Sequence, residues 1–146
     1  MMDKKEFFIG AMDRGIRSEL NRPLGFGCVT MRGQGAHTDM DFRTFLISGK
    51  SLCDSFREMG SEDICDFYSL RRVGLTVEER MLHATGGVNT HKGLLFLLLF
   101  LYKAWLDDVA WPEFPAYISR LAAPLLDDYR LCLLYTSDAA DDSPPV

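Results

Sequence analysis

The 146-residue sequence predicts an all-α protein, a helical bundle around a central buried apolar helix. Three observations carry that expectation. Apolar residues recur every three or four positions through most of the chain, glycine- and proline-bearing turns interrupt them at helix-length intervals, and no stretch alternates with the two-residue period of a half-buried strand. The hydrophobic fraction is 47% and the charged fraction 25%, ordinary values for a globular chain long enough to bury one core.

Phe8, Met12, Ile16 and Leu20 repeat every four residues, with Phe7 and Ala11 beside them, so a first helix is expected from about residue 6 to 20. Gly10 and Gly15 each weaken it by roughly 1 kcal/mol relative to alanine. A loop follows over 21–36, rich in glycine and carrying Pro23. A second helix is expected from near Thr38 to Gly60, burying Phe42, Phe45, Leu46, Leu52, Cys53 and Phe56. Ser61 then caps a third helix containing Ile64, Phe67, Tyr68 and Leu70. Past Gly74, the Thr76-Val-Glu-Glu79 segment reads as a capping box opening a fourth, with Met81 and Leu82 inside.

Gly86-Gly87 stops that helix, and Asn89 or Thr90 caps a fifth that runs to about Asp108. Its apolar run from Gly93 to Tyr102 lies between Lys92 and Lys103. A membrane span needs roughly 20 apolar residues, so a helix buried on all sides is expected and no membrane partner. Trp111-Pro112 ends it, and a last helix from Pro115 to about Leu133 is bent at Pro124. From there the helical period stops. Residues 1–133 form the expected domain; 134–146 read as an acidic disordered tail or as sequence foreign to the gene, and carry no functional assignment.

Sixteen basic against 21 acidic residues give a net charge of -5, and no basic stripe interleaves with aromatics, so nucleic acid is not an expected partner. Cys28, Cys53, Cys65 and Cys132 are widely spaced, which frames neither a disulfide scaffold nor a zinc site and points to reduced thiols in the cytoplasm. The Met-Met-Asp-Lys-Lys-Glu start has none of the features of a signal peptide.

Two clusters stand out chemically. The first is Gly35-Ala-His-Thr-Asp-Met-Asp41, and the second is the segment from Glu78 to Gly93. In the second, the chain turns into the N-terminus of the apolar helix, where unsatisfied N–H groups favour an anion. His91 and Lys92 sit in that first turn, and each positive charge there opposes the helix dipole by about 0.3–1 kcal/mol. A bound polyanion reverses that sign; plain capping, with Lys92 reaching into water, is the alternative. In the first cluster, Asp41 completes a capping box with Thr38, or Asp39 and Asp41 act as hard oxygen ligands for a nucleotide's Mg²⁺. Glu79 belongs to its capping box, which leaves Glu78 as the carboxylate without a structural duty.

Gly-Ala-His-Thr-Asp-Met-Asp at 35–41, and Glu-x-x-Met-x-x-Ala-Thr-Gly-Gly-Val-Asn-Thr-His-Lys-Gly at 78–93, resemble the two signature segments of triphosphoribosyl-dephospho-CoA synthases. A weaker likeness extends over about 6–130. The resemblance implies an all-helical transferase. The 2′-hydroxyl of 3′-dephospho-CoA displaces adenine from ribose C1 of ATP, and the product is the precursor of the prosthetic group on the acyl carrier subunit of citrate lyase. A close relative serves malonate decarboxylase. Other readings are an inactive helical binding module and a Mg²⁺-dependent phosphohydrolase.

On that resemblance, Gly87, Asn89, Thr90, His91 and Lys92 bind substrate phosphates and Asp39 and Asp41 hold Mg²⁺. His37 or Glu78 moves the proton or stabilises the ribosyl cation, as carboxylates do in glycoside hydrolysis. The side chains of His37, Asp39, Glu78, His91 and Lys92 are expected to converge on one pocket. Thr30 stands where the family usually has an aspartate, and Gly33-Gln34 where asparagines are common. Family members are considerably longer, so the bundle is expected to be incomplete at its C-terminus.

Overall fold

A computed structural model describes residues 3–23 and 27–130. The described residues are helical with no strand; the only pairing of β type among them is an isolated bridge between Thr30 and Gly33. The helices are α1 (Lys4–Leu20), α2 (Phe42–Glu58), α3 (Phe67–Ala84), α4 (Lys92–Leu106) and α5 (Phe114–Leu121), with 3₁₀ turns at Ser61–Ile64 and Trp111–Glu113. Residues 125–130 are helical again. The expected tail, 134–146, and Cys132 lie outside the described residues.

Consecutive helices pack on one another, and α1 also packs on α4, which closes the first four helices into a ring. Ile9, Met12, Ile16 and Leu20 project from α1 into the core, matching the four-residue repeat. They meet Leu52 and Phe56 of α2, Leu70, Val77 and Met81 of α3, and Leu95, Leu98, Leu99 and Tyr102 of α4. Gly49 brings α1 and α2 close, since a Cβ there would lie 3.2 Å from Ile16 Cγ2.

Three expectations change. The third and fourth helices are one, α3. Gly74 does not end it but permits close approach, because a Cβ at Gly74 would stand 3.0 Å from Leu99 Cδ1 on α4. Thr76 is inside this helix, its hydroxyl donating to the Arg72 carbonyl at 3.3 Å, so Thr76 and Glu79 form no capping box. The cap of α3 is Asp66, whose carboxylate accepts from the Ser69 amide while Ser69 Oγ accepts from the Asp66 amide. Replacing Gly74 by leucine should overpack this contact and cost about 1–3 kcal/mol, read as a lower urea midpoint with unchanged slope; equal or greater stability would mean the helices stand further apart.

Helix α2 begins at Phe42 rather than near Thr38. Asp41 is the N-cap and forms a reciprocal box with Thr44, not with Thr38. Finally, α4 is not buried on all sides. Leu95, Leu98, Leu99, Phe100, Tyr102 and Ala104 are interior, but Phe96 and Leu97 are exposed. Its partners α1, α3 and α5 cover only part of its circumference. No helix among the described residues is long and apolar enough to cross a membrane.

Candidate functional site

The turn between α3 and α4 is built by its glycines. Gly86 and Gly87 have φ of 68° and 93°, the left-handed region that glycine enters without a Cβ penalty. The Gly87 amide donates to the Leu82 carbonyl at 2.7 Å and the Gly86 amide to that of His83 at 3.4 Å, which closes the end of α3 as a Schellman motif. The Thr85 hydroxyl donates to the Val88 carbonyl at 2.6 Å, folding the next residues back toward the helix.

The chain then enters α4. Asn89 Oδ1 accepts from the Lys92 amide at 3.3 Å, so Asn89 supplies the capping acceptor although the N-cap position is His91. The amides of Gly93 and Leu94 find no acceptor among the described residues, which leaves the positive end of α4 open to an anion. Thr90 does not cap; its hydroxyl donates to Ser48 Oγ at 2.5 Å.

His91 is buried. Its Nδ1 lies 2.7 Å from Ser48 Oγ, and its ring stands edge-on to Phe45 with centroids 5.0 Å apart. Burial pulls its pKa from the ordinary 6.5 down to about 4. At neutral pH the ring is therefore uncharged, and only Lys92 brings a positive charge to the start of α4. Because protonation is disfavoured in the folded state, the unfolded chain takes up the proton first as pH falls. Stability from this group is complete above pH 6.5 and is lost toward pH 4, by up to about 1.4 kcal/mol per pH unit. Replacing His91 by glutamine should flatten that part of the pH–stability curve; an unchanged slope would assign it to other groups.

Lys92 Nζ lies 2.7 Å from Glu78 Oε1 on α3. The ammonium side chain is 60% exposed while that of Glu78 is 19% exposed, so Glu78 is held half inside a hollow of about 220 Å³ with Lys92 at its rim. Leu70, Gly74, Leu95 and Leu99 form its walls.

On the other side of α4 runs a larger groove of about 650 Å³, walled by apolar side chains of α1, α4 and Trp111–Phe114, including Phe8, Met12, Leu94, Leu98 and Trp105. His37 and His91 both line it. The glycine-rich loop is folded to deliver His37. The Met31 amide donates to the Leu20 carbonyl at 3.0 Å, and the Ala36 amide to that of Gly27 at 3.1 Å. Gly35, with φ of 62°, is pressed against that backbone, where a Cβ would come within 2.5 Å of Gly27 C.

Predicted site residues therefore gather in two hollows rather than one, on either side of the α4 N-terminus. Glu78 and Lys92 share the smaller; His37 and His91 share the larger; Gly87 and Asn89 are exposed on the turn between α3 and α4. His37 Nδ1 lies 3.7 Å from Asp39 Oδ1. Asp41 keeps its carboxyl below the usual range through hydrogen bonds from the Thr44 amide and hydroxyl. Among the described residues no three His, Cys, Asp or Glu side chains gather as a metal-binding group. Mg²⁺ that arrives with a nucleotide retains waters and takes few protein ligands, so such a group is not a requirement for it.

Ser48 is absent from the residues singled out in the sequence, and Phe45 figures there only as a core position. The signal was present: Ser48 falls in phase with Phe45, Leu52 and Phe56 on the inward stripe of α2, and a polar residue there needs a partner.

Comparison with known proteins decides the family. Residues 9–132 match the family described as ATP:dephospho-CoA triphosphoribosyl transferase, CitG. The chain belongs to this family. It is 35% identical over 107 residues to the 2-(5''-triphosphoribosyl)-3'-dephosphocoenzyme-A synthase of Klebsiella pneumoniae, a match covering 68% of this chain and 35% of that protein. A probable synthase of the same name from Streptococcus mutans is 40% identical over 99 residues, 62% of this chain and 33% of its own. One from Acinetobacter calcoaceticus is 42% identical over 81 residues, 53% and 27% respectively. The chain thus spans about a third of the length of the curated CitG relatives it matches. No solved structure matches it.

Proposed function

We propose that this CitG-family chain serves a transferase that moves the triphosphoribosyl group of ATP onto 3′-dephospho-CoA with release of adenine. The observation that carries the reading is the family match over 9–132, which contains both signature segments. The acceptor's 2′-hydroxyl oxygen forms a bond to ribose C1 as the C1–N bond to adenine breaks. The bonding pair leaves with adenine, which gains a proton, and the hydroxyl loses one. The product goes toward the acyl carrier prosthetic group of citrate lyase.

Glu78 stabilises positive charge on the ribose or accepts the hydroxyl proton, a role supported by its recess in an apolar hollow. Lys92 and the open amides of Gly93 and Leu94 favour phosphate oxygens. Asn89 and Gly87 shape that turn. His91 binds as a neutral group, and His37 lines the same groove. Asp39 and Asp41 would hold Mg²⁺, which supplies charge neutralisation for the triphosphate when bound.

The test is adenine release from ATP with dephospho-CoA and Mg²⁺, using this chain and a version extended to the relatives' length. Adenine from either supports the transferase, and adenine from the longer chain alone shows that further helices are required. Folded protein of both lengths releasing none would defeat the reading, and phosphate in place of adenine would favour a phosphohydrolase.

A further inference from the structure

We infer that Ser48 is a positioning residue that fixes His91 as the neutral Nε2–H tautomer, so that the ring offers the apolar groove a hydrogen-bond donor. Ser48 is fully buried on α2, and its Oγ lies between Thr90 Oγ1 at 2.5 Å and His91 Nδ1 at 2.7 Å. A hydroxyl has one hydrogen to give and lone pairs to receive. Thr90 donates to Ser48, so Ser48 directs its own hydrogen to Nδ1, which must then be unprotonated. The reverse order would leave the hydrogen of half-buried Thr90 to solvent alone, since Thr90 Oγ1 has no other hydrogen-bond partner among the described residues.

With Nδ1 engaged, Nε2 is the polar atom His91 retains for the groove it lines. Phe45, edge-on to the ring, restricts its rotation from the other side. Burial also keeps the ring neutral. A neutral N–H in an apolar groove selects an oxygen or nitrogen acceptor on the ligand without demanding that it be charged. Thr90, having given its hydrogen to Ser48, cannot at the same time donate to a phosphate. The segment therefore divides its labour: Lys92 takes anionic groups on one side of α4, and His91 takes an uncharged acceptor on the other. Only that assignment of ligand rests on the transferase reading.

The experiment is long-range ¹H–¹⁵N correlation NMR on the ¹⁵N-labelled chain at neutral pH, with assignment of His91 by its loss in H91Q. The expected result is a proton on Nε2 and a bare Nδ1, in roughly tenfold or greater excess, which one hydrogen bond of ordinary strength supports. S48A should lower that excess to the modest Nε2–H preference of a free neutral histidine side chain, whereas T90V, which leaves Ser48 in contact with Nδ1, should keep the full excess. A proton on Nδ1 in the unaltered chain overturns the inference, and so does an unchanged tautomer ratio in folded S48A. If S48A does not fold, the unaltered chain and T90V decide the matter, because Nδ1 protonation in either is incompatible with the proposed order. The tautomer is read without catalysis. Failed adenine release beside an Nε2–H ring would therefore count against the transferase and leave the role of Ser48 standing.

Discussion

Replacing Glu78 by glutamine should lower adenine release by about 10²–10⁴-fold in whichever length of chain is active, the range that a positioned acid–base group supplies. Glutamine preserves the shape of the side chain and an oxygen facing Lys92, but it cannot accept a proton or face a ribosyl cation with a full charge. The loss should fall on kcat, since the charge matters most when C1 becomes electron-poor. Lys92→Ala should behave differently. It removes a cation from the mouth of the same hollow and should weaken ATP binding by roughly 10–100-fold, the range of a hydrogen bond to a charged group. Glu79, exposed on the same helix and without a capping role, provides the control: E79Q should retain activity. Full activity in E78Q would remove the carboxylate from the chemistry and leave its contact with Lys92, 2.7 Å away, as a structural pair.

Phe56→Ala should cost about 3–5 kcal/mol, a large part of the roughly 5–15 kcal/mol that holds a typical domain folded. Phe56 is fully buried and lies where three helices meet. Its ring is 6.2 Å from Phe8 on α1 and 5.2 Å from Tyr102 on α4, while Phe8 and Tyr102 are themselves 5.0 Å apart. Truncation empties the middle of this aromatic triangle, and helices tied at both ends cannot close around the void. Urea unfolding should show a much lower midpoint, and F56L should recover most of it because most of the volume returns. A cost below about 1 kcal/mol would mean that α1, α2 and α4 do not share this junction.

Much of the helix pattern was legible in the chain. The spacing of Phe8, Met12, Ile16 and Leu20 marks the inner face of α1, and Gly86-Gly87 marks the end of α3, because both depend on residues within one or two turns of each other. The errors came from local signals that are ambiguous without a partner helix. Gly74 looks like a break until Leu99 is seen against it, and Thr76-x-x-Glu79 looks like a capping box until α3 is seen to run through it. Thr38 and Asp41 compete for one cap, and the reciprocal bonds with Thr44 decide for Asp41.

By itself, the sequence determined that this is a helical chain carrying the two signature segments of the CitG family, because helical period, turn glycines and linear motifs are properties of near neighbours. Only the tertiary structure decided what the site residues are physically. Ser48 and His91 are 43 positions apart, and the burial that brings them together turns an expected cation into a neutral ring. Glu78 and Lys92 meet because α3 and α4 pack side by side. The same packing sends His91 and Lys92, adjacent in sequence, into different hollows. Charge state and direction depend on burial and on partners brought from distant segments, and those exist only once the helices have packed.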